Sequence, residues 1–369
     1  MEFNELDAGS YTVDVEATLS GALSGVGSAE VAVTEGETAS CSVLMNRVYT
    51  AAQAAERISD NNGENWNIIV AGPIDDDGLL EIAKNLKDVL TEGCISLDLG
   101  RTTGLSSIGV TKFQNCTALS AIVLPEGIGS IDENAFDGCT SLASVTIPDT
   151  VNEIGQFAFL NCSALKRIEI PNSVTTITSG AFRDCTALTS IEIPRGVITI
   201  GSDSFNGCTA LESIEIPDSV TTIERAAFHG CSSLTDVYIP DSVTEIGNQT
   251  FTNCSNLKSI VLSAGITSIA EQVFRNCTSL TSIEIPDGVS EIKSSAFMSC
   301  EVLESITIPA SLTSIGASAF YLCNKLKGGT VKYKGLSDDW SGIAIGSNNP
   351  LFESGSGIKI ICSDKEMTL

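Results

Sequence analysis

Between residues 97 and 327 the apolar positions of the chain recur with a period of 23. Four columns carry the recurrence. An isoleucine runs from Ile108 to Ile315, a phenylalanine from Phe113 to Phe320, a cysteine from Cys116 to Cys323 and a leucine from Leu119 to Leu326, each in all ten repeats. Between them, stretches such as "LTSIEIP" alternate apolar and polar residues at period two and end in proline. That pattern predicts a short strand stopped by a residue without an N–H. A turn such as "PDSV" follows, then an aliphatic residue, an isoleucine and "xxAFxxC", which predicts one helical or 3₁₀ turn. Each repeat is thus expected to supply one strand and to close one circuit.

One circuit alone buries too few apolar side chains to offset the conformational entropy of ordering it. Stacked in register, the strands pair with their neighbours and each column becomes a ladder, so stability accrues at the interfaces between repeats. The columns L-x-x-I-x-I-P, V-x-x-I and A-F-x-x-C at period 23 resemble the BspA-like, or treponemal-type, leucine-rich repeats. The resemblance implies an α/β solenoid, a right-handed superhelix with a parallel β-sheet on its concave face. It also implies a secreted or surface-anchored bacterial protein that binds proteins without catalysis, through adhesion to host matrix or cells.

The ends depart from the repeat. "NWNIIVAGPIDDDGLLEIAKNLKDVLTEGCISLDLG" predicts a strand, a helix with Leu79, Ile82, Leu86 and Val89 on one face, and a strand at 95–99. Leu97 and Leu99 fall in the strand columns, so the second strand begins the solenoid sheet and Ile68–Val70 adds a parallel strand outside it. Residues 48–95 are therefore expected to form an N-terminal βαβ cap. Asp75, Asp76 and Asp77 lack the spacing of a calcium loop and sit where acids complement a helix N-terminus. Before the cap, "GSYTVDVEATL", "SAEVAVTEG" and "TASCSVLMN" read as three strands of a short β-sandwich-like segment over 1–47, too short for a complete sandwich, so that either the segment is truncated, the favoured reading, or its strands lean on the cap. The repeats are placed at 96–330 and a C-terminal cap at 331–369, where Trp340, Leu351 and Phe352 suit closure of the last rung.

Composition narrows the partners. With 46 Asp and Glu against 20 Lys and Arg, the net charge of −26 argues against nucleic acid. No apolar run is long enough to span a bilayer. The start "MEFNELDAGSYTV" lacks the basic and apolar regions of a signal peptide, which is expected of cytosolic synthesis or of a chain that begins after a removed leader. The resemblance points to the second, an extracellular or cell-surface setting.

Ten cysteines in register invite a disulfide or metal reading, because neighbouring rungs lie ~5 Å apart. Their column neighbours are apolar, however, and parallel rungs aim their Cβ atoms alike, so buried free thiols are expected. Cys41, Cys94 and Cys362 lie outside the ladder. The one histidine, His229, shares its column with Gln114, Asp137, Leu160 and Arg183, which marks a tolerant surface position. No nucleophile–histidine set, glycine-rich phosphate loop or zinc spacing stands out, and no cofactor is implied. A carboxylate-pair hydrolase hidden in the caps is the remaining enzyme reading, and nothing singles out a pair.

The outward strand positions hold more. One column reads Arg167, Ser190, Ser213, Asp236, Ser259 and Ser282, and the next Glu169, Glu192, Glu215, Tyr238, Val261 and Glu284. Arg167, Glu169, Glu192, Glu215, Asp236, Tyr238 and Glu284 form the candidate partner-binding set, with Tyr238 as anchor and Arg167 placed to lock one carboxylate. Such a face favours a basic protein partner. Two other readings stay open: a solvated face whose glutamates follow from repeat duplication, and a structural spacer within a larger surface protein.

Overall fold

The computed structural model describes residues 2–3, 9–19, 22–33, 39–40, 46–61, 64–90 and 92–369, with side chains from residue 48 onward. Over the repeats the chain winds into a parallel-strand β-solenoid of about 12 turns with little helix. The register explains the period. Val145 pairs with Ile122, Ile154 with Ile131, Ile200 with Ile177 and Ile283 with Ile306, so one repeat is one rung and each column stacks on itself.

Most repeats contribute two strands where the sequence predicted one, and the rungs around Glu169, Glu192 and Glu215 keep only the second. The first lies on the expected strand face, as at Ser144–Thr146 or Ser282–Glu284. The second is a two-residue strand after the proline turn, such as Thr176–Ile177 or Ser314–Ile315, and stacks into a ladder of its own. The predicted helical or 3₁₀ turn at "AFxxC" is instead a chain of tight turns. Within it, Cys139 N donates to Phe136 O and Leu142 N to Cys139 O. Residues in the left-handed region interrupt the chain, so no helix propagates. Asn115, Asn161, Asp184, Asn253 and Asn276 hold φ between 57° and 62° just before their cysteines, a conformation that glycine, asparagine and aspartate adopt most readily. The column before each cysteine is therefore set by the backbone.

Inside the coil the ten phenylalanines form one stack, with centroids 5.2–5.9 Å apart and planes within 20° of parallel. Spacing beyond a face-to-face sandwich gives the offset arrangement that ring quadrupoles favour. Beside it run the cysteines, all buried and all free. The Phe136 carbonyl accepts from the Cys139 N–H at 3.1 Å and from the Cys162 thiol of the next rung at 3.2 Å. The same thiol bond recurs from Cys139 to Phe113 through Cys323 to Phe297. Cysteine is thus small enough for the column and still donates to a carbonyl that water cannot reach.

At the N-terminal side, β1 (Glu2–Phe3), β2 (Gly9–Leu19), β3 (Ala22–Val33), β4 (Ala39–Ser40), β5 (Asn46–Tyr49), α1 (Ala51–Ser59), β6 (Trp66–Pro73), α2 (Asp76–Asp88) and β7 (Ile95–Thr103) follow in order. β6 lies parallel to β7, with Ile68 opposite Leu97. α2 buries Leu79, Ile82 and Leu86 completely, whereas Val89, expected on the same face, follows the helix in extended backbone and is buried there. Asp75 caps it, accepting from Gly78 N at 2.9 Å. The sequence reading missed β5 and α1. α1 opens with a capping box in which Thr50 and Gln53 bond each other's backbone, and it is tied to α2 by Asn85 Nδ2 donating to Ala55 O at 2.7 Å. β2 and β3 form an antiparallel hairpin whose second strand pairs with β5, joining the solenoid sheet. The third strand expected near 38–46, and Cys41 with it, lies largely outside the described residues.

At the other end the phenylalanine stack stops on an edge. The ring of Phe352 meets Phe320 at 85° and 5.1 Å, and Trp340 packs against Phe352 and Tyr333. Trp340, Leu351 and Phe352 are all buried, so the last rung is covered by large rings.

Candidate functional site

The repeat places its outward side chains by alternation. In the rung at 165–170, Leu165, Ile168 and Ile170 are buried while Arg167 and Glu169 face solvent. The same holds rung by rung, and Arg167, Glu169, Glu192, Glu215, Asp236, Tyr238 and Glu284 are all exposed. Sheet pairing on this face is interrupted in its middle. From Thr146 to Asp236 the backbone pairing reduces to one parallel bridge, Glu192 to Glu215. The second ladder stays continuous over the rungs from Thr176 to Ile246. The one bridge that survives joins two glutamates, so like-charge repulsion does not account for the interruption. A shorter break separates Ser259–Val261 from Ser282–Glu284.

Two grooves follow from this openness. One, of about 760 Å³, is lined by Glu192, Arg195, Glu215, Asp218, Asp236, Tyr238 and Val261 among others. The other, of about 660 Å³, includes Arg167, Glu169, Glu192 and Glu215. They share Glu192 and Glu215, so six of the seven predicted residues line one continuous depression. The seventh does not join them. Glu284 accepts from Lys334 Nζ at 2.8 Å, and the same ammonium reaches Asp287 at 2.7 Å, which ties this part of the face to the C-terminal segment. Arg167 locks no carboxylate: among the described residues no ion pair within 4.0 Å reaches it. It stands exposed at one end of the groove.

Asp236 accepts from Ser259 and, more weakly, from Thr235, whose hydroxyls hold its carboxyl below the usual range and therefore charged. Tyr238 and Val261 are register partners on adjacent strands and are 58% and 57% exposed, an apolar pair among the serine and charged residues of the central rungs. Sequence reasoning singled out Tyr238 but passed over Val261, Arg195 and Asp218. The latter two follow the proline directly, and their column reads Asp149, Asn172, Arg195, Asp218 and Asp241, a polar column that could have been added to the face.

The cysteine ladder and the histidine stand apart. Burial pushes the thiols of Cys116, Cys208, Cys254 and Cys323 up to about 12 and raises the rest of the ladder likewise. Cys94 and Cys362 are also buried, and the Cys94 thiol lies 3.9 Å from Asn61 Oδ1. His229 Nδ1 lies 3.3 Å from Asn206 Oδ1 and Nε2 lies 3.4 Å from Asn253 Nδ2, so the ring bridges three rungs at the turn edge. Partial burial lowers its basicity below the ordinary 6.5.

The model of the BspA type leucine rich repeat region, which spans six copies, matches residues 106–231 and 199–327. The chain belongs to this family. No curated protein matches this BspA-type repeat protein in sequence. Among solved structures it is similar to a leucine-rich repeat protein from Bacteroides ovatus, at 26% identity over 74% of this chain and 85% of that one, with a TM-score of 0.40. A leucine rich cell surface protein from Faecalibacterium prausnitzii shares 24% identity over 89% and 97% of the two chains, with a TM-score of 0.39. A leucine-rich repeat protein from Eubacterium ventriosum shares 21% over 94% and 95%, with a TM-score of 0.45. Among the described residues no helix is long and apolar enough to cross a membrane.

Proposed function

We propose that this BspA-type repeat protein is a non-enzymatic binder of proteins at the bacterial surface, where it adheres to host matrix or to cells through its strand face. The observation that carries this reading is the depression over the central rungs, which unites Arg167, Glu169, Glu192, Glu215, Asp236 and Tyr238 on a broad exposed face. Folding uses the other side of each strand, so the outward residues are free to vary without loss of the core. The family supports a protein-binding role. The test is a binding assay of the purified chain over immobilised extracellular-matrix proteins and fixed epithelial cells. Saturable binding to at least one matrix protein is expected. A spacer would bind none of them above an inert control, and that result would overturn the reading.

A further inference from the structure

We propose that the groove beside Tyr238 is built for an extended, basic polypeptide segment that also carries apolar side chains. The inference rests on the strand-face reading above and names the chemistry of its partner. Two separate observations converge. The groove holds four carboxylates, Glu192, Glu215, Asp218 and Asp236, against one cation, Arg195. None of the four is in an ion pair among the described residues, unlike Glu284, which Lys334 already occupies. Their charge is therefore available to a partner, and it repels anionic lipid and nucleic acid.

The second observation is apolar. Tyr238 and Val261 sit opposite each other in register, both more than half exposed. A polyamine would satisfy the carboxylates and leave this pair wet. A polypeptide satisfies both, because an aliphatic side chain can cover Val261 while an Arg or Lys stem lies over the Tyr238 ring and its head group reaches a carboxylate. The depression runs from the rung of Glu169 to that of Val261, four rung steps or about 19 Å. At about 3.3 Å per residue, that length takes roughly six residues of extended chain. A segment that carries both kinds can set cationic residues over the rungs of Glu192 and Glu215 and apolar ones over those of Tyr238 and Val261.

The probe is a fluorescein-labelled decapeptide alternating lysine and valine, followed by anisotropy at low and physiological salt and by hydrogen exchange on the unmodified protein. Binding that weakens with salt is expected, together with slowed exchange at residues 213–216 and 236–239. The Tyr238→Ser/Val261→Ser variant should lose at least tenfold in affinity and keep its salt slope, whereas Glu215→Gln should flatten the slope. The inference is overturned by equal binding of a glutamate–valine decapeptide, by full displacement with spermine at matched charge, by protection confined to another face, or by no binding. If the protein ignores the decapeptide and still captures a matrix protein, this inference fails while the binding function stands. Failure of both assays removes both.

Discussion

The column that precedes each ladder cysteine holds asparagine, glycine, aspartate or serine in nine repeats and Leu322 in the tenth. All ten occupy the left-handed region, with Leu322 at φ 63°. A leucine there places its Cβ against the following carbonyl, which costs about 1–2 kcal/mol, and asparagine relieves part of that cost. Leu322 is 41% exposed, so little burial is lost on replacement. Leu322→Asn should raise stability by about 1 kcal/mol, seen as a higher midpoint in thermal denaturation. An unchanged or lower midpoint would show that its apolar contacts outweigh the strain. The repeat motif Asn-Cys-Thr, which resembles a glycosylation signal, thus has a backbone explanation.

At the scale of the element, the cysteine ladder links stability to pH. From Cys139 to Cys323 each buried thiol donates to a phenylalanine carbonyl of the preceding rung, and burial raises it from an ordinary 9.0 to about 12 at Cys208 and Cys254. Above pH 9.0 the unfolded chain loses these protons while the native ladder keeps them, so the native state binds more protons and stability falls as pH rises. At pH 10 each such thiol withdraws about 1.4 kcal/mol relative to neutral pH. Chemical denaturation between pH 8 and 11 should show a steep decline, shallower in Cys208→Ala once its lower baseline is subtracted; equal slopes would mean that the ladder thiols ionise in place. The strands, the ladders and the helix at 76–88 were legible because their periods are long and unbroken. The second ladder was not, since two residues such as Thr199–Ile200 carry no alternation to detect. α1 was missed because its buried face is built mostly of alanine, Ala54 and Ala55 beside Ile58, although its Thr50–Gln53 box was there to read. On the strand face the outward columns were legible from alternation, while the pairing of Glu284 with Lys334 was not, because it joins residues 50 positions apart.

For the whole molecule, stability is a sum over interfaces, and an end that is not covered exposes every ladder at once. Phe352 turns edge-on to the last stacked ring, and Trp340 and Tyr333 extend the cover. Deleting residues 333–369 should cause aggregation or melt the final rungs, checked by light scattering and by hydrogen exchange around Phe320. A soluble truncation with unchanged melting would show that the ladders close by themselves.

The same division between a packed interior and an open face underlies the proposed function, since charge on the strand face can change without touching the core. The most direct measurement follows Glu192→Lys/Glu215→Lys against wild type, reading thermal melting and the association rate for a captured matrix protein at two salt concentrations. The account predicts an unchanged midpoint, a lower association rate and a weaker dependence on salt, because complementary charge speeds encounter more than it tightens the complex. Identical association by the two proteins would contradict it and leave these glutamates as a solvated face.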